Sequence, residues 1–367
     1  MTLVWFLIIL IILILVHELG HFLVAKKSGI RVDEFGLGFP PKLFSIKKGE
    51  TEYSLNAIPF GGFVKIYGES PTEEEAKDPD PRSFIAKPRL IQAAVLVAGV
   101  GFNIILAWLL LSLGFMAGLP MSQSTELAEE YPAAESRVTL IGIQEDSPAE
   151  EAGLKVGDKL LFLHLNDEAF EITNIKQVQD IIASADSQAL DLIYQRGEEI
   201  DHINITPEMN LVEGEDRLTI GVGLDEVGMV KLPWWRAIFE GGKLTLNLLV
   251  MIVMALGQII VDLWQGGNMA EAVVGPVGIF NLVGDAQALG LVYLLTFTAM
   301  ISLNLAIINL IPFPALDGGR LLFLGLEGLF RRPIPTVVTN YLNLIGFFLL
   351  IGLLLLITYN DIGRLLG

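Results

Sequence analysis

The sequence contains no cysteine, only four histidines, and charged side chains at 18% of its 367 residues. Without cysteine there is no structural disulfide, no thiol nucleophile and no thiolate-bound metal. With histidine confined to His17, His21, His164 and His202, an imidazole metal site has few places to form. Positive charge is scarce too: 24 lysines and arginines face 42 acids, for a formal charge of -18. Most of the imbalance lies in residues 119–243, which hold 25 acids and 9 bases. Such a segment repels phosphate, so nucleic acid and anionic lipid are poor partners for it, and it reads as a solvated acidic surface.

What the chain has instead is apolar bulk. Hydrophobic residues make up 52% of it, and the mean hydropathy of +0.57 points to membrane spans rather than a cytosolic enzyme. Apolar stretches at 2–24, 91–119, 289–311 and 339–358 are candidate spans, and 244–263 is an ambiguous fifth. The first begins at Met1 with no basic leader and no A-x-A site after it, which disfavours a cleaved signal peptide. Residues 25–90 carry 11 of the 24 bases, beginning with Lys26 and Lys27. By the positive-inside rule this loop is cytoplasmic, and the N-terminus and the acidic segment lie outside.

The sharpest feature is His17-Glu18-Leu19-Gly20-His21, at the end of the first apolar run. On a helix, positions i and i+4 share a face, so both imidazoles can reach one cation, with Glu18 beside them as general base. An ionisable group within a span costs at least about 2.5 kcal/mol at the bilayer centre, so Glu18 there calls for a function. Catalytic zinc takes three protein ligands. His164 and His202 fall in the outer acidic segment, so a carboxylate is expected as the third. Asp317 is the best candidate, in Pro312-Phe313-Pro314-Ala315-Leu316-Asp317-Gly318-Gly319, where prolines stop a helix and glycines permit a tight turn. Asp317 can meet His17 only if 289–311 crosses in the same sense as 2–24. Hence 244–263 is expected not to span; Glu240, Lys243, Asn247, Gln258 and Asp262 fall along one stripe, as on an interfacial helix.

These residues resemble the site-2 proteases, of the bacterial regulator-of-sigma-E protease type. The likeness covers nearly the whole chain: HELGH at 17–21, VDEFGLGFPP at 32–41, YSLNAIPFGGFVKIYGE at 53–69, AGVGFN at 98–103, GPVGIF at 275–280 and NLAIINLIPFPALDGG at 304–319. Val100 stands where the family commonly has proline, and one PDZ-like unit stands where enterobacterial members have two. The resemblance implies an intramembrane zinc endopeptidase of the bacterial inner membrane. It implies Zn2+ held by His17, His21 and Asp317, Glu18 as base, and Asn309 holding the substrate backbone. Its substrates would be the transmembrane helices of pre-trimmed single-span proteins, such as anti-sigma factors or signal-peptide remnants. A membrane-anchored PDZ adaptor and a metal transporter are the other classes considered.

The expected fold is a polytopic α-helical membrane protein with four spans, a membrane-associated β element and one inserted α+β PDZ domain. It starts with a span at 1–24, a cytoplasmic loop at 25–90 holding the β element, and a second span at 91–119. A linker at 120–136 leads to the PDZ domain at 137–208, followed at 209–288 by a linker and interfacial helix. The third span with its Asp-Gly-Gly turn covers 289–319, a cytoplasmic loop 320–338, and the fourth span 339–360. Strand-like patterning at 138–143, 159–165, 189–195 and 200–206 with a helix at 174–185 supports the PDZ unit, read either as a peptide-binding groove or as a rigid spacer. The strand-like run 53–67, broken at Gly61-Gly62, is expected either to pair with an unwound substrate or to shield the site as a hairpin.

Overall fold

The computed structural model describes the whole chain except residues 70–79, 134, 167, 187, 210–216, 266–273, 333 and 367. It divides into two compact units, one of residues 1–111, 240–284 and 297–367, the other of 112–239 and 285–296.

The first unit opens with α1 (Thr2–Lys27), which carries His17, Glu18 and His21 near its C-terminal end and Lys26 and Lys27 in its last turn. Two long strands follow, β1 (Val32–Lys48) and β2 (Thr51–Ile66), antiparallel to each other. Their register shows that each strand serves twice. Residues 34–37 of β1 pair on one side with 52–55 and on the other with 62–65, while 42–48 pair with 51–56. The result is a small sheet in which 42–48 and 61–66 are the two edges. The helix α2 (Arg89–Ala117) then returns along α1. A Cβ on Gly20 would lie 2.5 Å from Ala98 O, so the absent side chain lets the two backbones touch. Ala25, Ile30, Val32, Ile66, Phe84, Val95 and Leu96 form a buried core at this end, with Val64, Leu321 and Leu324 packed against it.

The second unit is built on a seven-stranded sheet. Its strands are β3 (Leu119–Ser122), β4 (Ser136–Ile143), β5 (Lys159–Leu165), β6 (Glu168–Glu171), β7 (Leu190–Arg196), β8 (Glu199–Ile205) and β11 (Val222–Val230). The order is β3-β11-β4-β5-β7-β8, with β6 on β5; β9 (Glu208–Met209) and β10 (Leu218–Thr219) pair separately. The short α3 (Glu126–Glu130) and α4 (Pro148–Glu151) and the amphipathic α5 (Ile175–Ser184) complete it. Ser147 and Asn174 cap α4 and α5 by accepting from Glu150 N and Gln177 N, which satisfies first-turn donors. Leu140, Leu160, Leu163, Val178, Leu190 and Leu192 lie in its core. This unit is larger than the expected 137–208. β11 pairs with β4 from Val222–Ile143 to Gly228–Ser136, and Ile220 is buried in the same core. Residues 222–230 are therefore part of this sheet, not linker.

The remaining helices are α6 (Trp234–Trp264), α7 (Pro276–Leu289), α8 (Leu291–Leu310), α9 (Asp317–Phe330) and α10 (Thr336–Leu366). The expected loop at 320–338 is corrected: α9 occupies most of it, because Leu321 and Leu324 recur at helical spacing against the core. Among the described residues, α1, α2, α6, α8 and α10 are long and apolar enough to cross a membrane, one more than the four spans expected. The extra one is α6. On it, Leu244, Leu248, Leu249 and Ile252 pack on Ala107, Leu111, Ala299 and Leu303, while Leu246, Val250, Val253 and Met254 are exposed. A helix apolar on both its packed and its open faces is longer and more lipid-like than 244–263 suggests.

Candidate metal centre

In the first unit, α1 delivers His17 and His21 one turn apart, and both side chains are buried. Asp317 arrives at the first position of α9. Its approach is set by Gly318 and Gly319, whose Cβ positions would overlap the carbonyls of Ile311 and Phe313. No other residue fits so close a turn. Phe6 of α1 meets Phe280 of α7 edge-on at 5.7 Å, while His17 meets Asp317 just past α8. From α7 through α8 the chain therefore runs beside α1 in the same sense, which is what brings the third residue to the other two.

Three atoms converge. His17 Nε2 lies 3.1 Å from Asp317 Oδ2 and 3.2 Å from His21 Nε2, and His21 Nε2 lies 3.2 Å from the same carboxylate oxygen. This is the one group of three or more potential metal ligands found among the described residues. Ligand bonds of about 2.0 Å at tetrahedral angles put donor atoms about 3.3 Å apart, so the triangle suits zinc, with a fourth corner open. A Cβ on Gly99 would overlap His21 Nε2, so α2 leaves the space these imidazoles need.

The outer hydrogen bonds agree with that use. His21 Nδ1 is 2.8 Å from Val95 O; a carbonyl only accepts, so Nδ1 carries the proton and Nε2 presents its lone pair to the cleft. His17 Nδ1 is 3.3 Å from the amide nitrogen of Asn103, which is wholly buried and whose Oδ1 has no hydrogen-bond partner. Turning that amide over gives Oδ1 the His17 Nδ1–H and frees His17 Nε2 in the same way. A buried acceptor left orphaned in one orientation and satisfied in the other is what a histidine ligand site requires. In the sequence Asn103 stands out only as part of AGVGFN, with nothing beside it to mark a role at the metal.

His17, His21 and Asp317 line a cleft of about 410 Å³ together with Glu18, Phe39, Gly62, Phe63, Val64, Ile66, Glu69, Ala315 and Arg320. Gly62 packs flush on α1, since a Cβ there would lie 2.8 Å from Ile14 Cγ2 and 3.2 Å from Glu18 Cγ. Gly61, with φ of +129°, has the Phe39 ring where a side chain would stand. Gly61 and Asn309 are not among the lining residues. Asn309 sits in the last turn of α8, partly buried. His164 and His202 lie in the second unit, both within 3.4 Å of Asp191.

The sequence matches peptidase family M50 over residues 5–353. Zinc metalloprotease RasP of Oceanobacillus iheyensis is 30% identical to it, with 99% of both chains covered. Regulator of sigma-W protease RasP of Bacillus subtilis is 28% identical, again over 99% of both. A Clostridium perfringens chain named as a candidate zinc metalloprotease is 36% identical over 350 residues, 95% of each chain. The donor set and the relatives agree on the metal: the chain belongs to peptidase family M50 and is a membrane zinc metalloprotease.

Proposed function

We propose that this protease cuts peptide bonds inside the membrane, in the transmembrane segments of single-span proteins whose outer parts have already been trimmed. The observation that carries the reading is the convergence of His17, His21 and Asp317 in a cleft whose wall is the sheet edge 61–66. His17, His21 and Asp317 would hold the zinc, which would supply a Lewis acid for the scissile carbonyl and for an attacking water. Glu18, next in chain to His17 and in the same cleft, takes the proton from that water and passes it to the departing amine.

A helix in lipid has all its amides bonded internally and offers no bond to attack. The edge 61–66 supplies the alternative: a segment added to it as a strand exchanges internal hydrogen bonds for strand pairing. Gly62 keeps that edge close to Glu18, and Asn309 holds the backbone of the incoming segment from the α8 side. Four helices cross the membrane in this reading. α2 supplies the return crossing between α1 and α8. A crossing by α6 would need another before α8, and α7, at 14 residues, spans about 21 Å of a core about 30 Å thick. Hence α6 inserts without crossing.

The basic loop 25–90 faces the cytoplasm, and the second unit, a PDZ domain, lies outside the bacterial inner membrane and filters substrates by size. The name of the Bacillus subtilis relative supports anti-sigma factors as a substrate class. The test is cleavage of a synthetic leucine-rich single-span peptide by detergent-solubilised protein. Zinc-dependent cleavage that Glu18→Gln abolishes while zinc stays bound is the expected result; undiminished turnover in that variant overturns the mechanism.

A further inference from the structure

The cleft contains one charged pair that this chemistry does not use. Glu69 and Arg320 both line it, and the Arg320 guanidinium donates to the Glu69 carboxylate. The Glu69 side chain is only 16% exposed. An ion pair on open surface contributes little, but a carboxylate this far from water depends on its partner.

Each member is fixed from behind. β2 ends at Ile66, and the turn after it is tied down: Tyr67 N–H donates to Arg31 O at 2.9 Å, and Phe84 N–H donates to Tyr67 O at 2.8 Å. The Arg31 guanidinium stacks over the Tyr67 ring, 4.0 Å from its centroid. Glu69 is thus a rigid extension of the edge 61–66. Arg320 stands one helical turn beyond Asp317 on α9, whose start is wedged in place by Gly318 and Gly319. Arg320 is thus a rigid extension of a proposed metal ligand. The pair also closes the cleft on one side, since both residues line a second cavity of about 150 Å³ with Gln92, Glu327 and Asn340.

We propose that Glu69 and Arg320 form a latch that fixes the distance between the substrate-pairing edge and Asp317, so that one peptide bond of a paired segment is presented for cleavage. The proposal rests on the function argued above. Strand residues repeat about every 3.3 Å, and backbone pairing alone is indifferent to a slip along the edge. To select one bond, the edge must be held against the metal ligands to a fraction of that repeat. Ile66 belongs to an apolar cluster against which Val64, Leu321 and Leu324 also pack, but apolar contact is non-directional. The ion pair is the directional contact between the edge and α9. Both are positioning residues: neither needs to touch the scissile bond.

The test uses the zinc-loaded full chain in detergent and the synthetic leucine-rich peptide, with products mapped by mass spectrometry. Wild type is expected to cut mainly one bond. Glu69→Gln and Arg320→Gln should keep one zinc per chain, spread cleavage over neighbouring bonds, and lower kcat by about tenfold to a hundredfold, with KM changed much less. The double variant should be no worse than either single, because the pair acts as a unit. If Glu69→Gln does not accumulate, Glu69→Asp keeps the charge, shortens the reach and should show the same spread. The wild-type product pattern at the wild-type rate in these variants overturns the latch, as do losses that simply add in the double. A wild-type chain inert toward the peptide with zinc bound overturns the proposed function, and the latch with it.

Discussion

The backbone N–H of Ala315 donates to Asn343 Oδ1 across 3.1 Å, and Ala315 is held with φ at +76°. Few non-glycine residues sit there, because Cβ crowds the following carbonyl at a cost of about 1–2 kcal/mol. Ala315 lies two residues before Asp317, and α10 backs the turn twice over. Besides the Asn343 contact, a Cβ on Gly346 would lie 2.5 Å from Pro314 O. The strain is stored where the third proposed ligand is aimed.

Asn343→Ala should therefore loosen the turn, costing about 1 kcal/mol of stability for the lost hydrogen bond and weakening zinc binding. Adding Ala315→Gly should recover about 1 kcal/mol, since glycine adopts that φ freely. Zinc titration and thermal unfolding of both variants in detergent check this. A single variant with unchanged zinc affinity would show that α10 does not support the turn.

Removing the Asn103 amide should act on the metal without touching it. Asn103→Leu leaves His17 Nδ1 without its buried partner, and outer-shell losses of this kind typically cost about 10–100-fold in metal affinity. Asn103→Asp keeps an acceptor for Nδ1–H and should retain most of the affinity. Competition with a zinc chelator separates the two; equal losses in both would mean that Asn103 serves packing alone.

Acid should weaken one end of the sheet in a predictable direction. Glu50 accepts from Lys26 Nζ at 2.6 Å and from an Arg82 nitrogen at 2.5 Å. The hydrogen bond from Lys26, then that from Arg82, pulls its carboxyl down from 4.5 to about 2, against a smaller opposing effect of burial. A depressed carboxyl stabilises the folded state above its unfolded value and loses that contribution as pH falls toward the folded one. The thermal unfolding temperature should thus fall as the pH drops from 4.5 to about 2, and Glu50→Gln should remove part of that slope. Identical slopes for both proteins would show that the Lys26–Glu50–Arg82 cluster adds no stability.

The proposed metal-centre residues are legible because each interrupts an apolar run with a group that lipid penalises. His17, Glu18 and His21 end one such run, and Asp317 follows another after two prolines. What supports them was not legible, for a physical reason: it is backbone or long-range. The Val95 carbonyl carries no sequence signal, Asn103 looks like any small polar residue in a helix, and Glu69 and Arg320 are 251 residues apart. β1 does not read as a strand in the sequence because its first half is paired on both sides and its second half on one, which blurs the alternation that marks a strand. β11 hid behind its glycines, although Leu224 and Val222 pack on the sheet's core. α9 was obscured by Gly318, Gly319, Gly325 and Gly328, which read as turn formers.

The last prediction concerns the second unit. If it filters substrates by size, it opposes those with bulky outer parts and contributes nothing to the chemistry. None of the residues lining the proposed zinc cleft belongs to it. The deletion must follow the sheet. Cutting only 137–208 would strip β11 of its β4 partner and expose the core around Ile220. Ser122 of β3 and Val227 of β11 are directly paired, so removing 123–226 and joining the ends with Asn-Gly leaves a two-residue hairpin of a favoured type. Cleavage of a trimmed single-span substrate should then stay within about twofold of the full chain. Cleavage of the same segment carrying a folded outer domain should rise about tenfold or more, a change of about 1.4 kcal/mol in the barrier. Both substrates are assayed side by side at equal zinc occupancy. If the deletion instead abolishes cleavage of the trimmed substrate while zinc stays bound, the unit recruits substrates, and the filter is wrong.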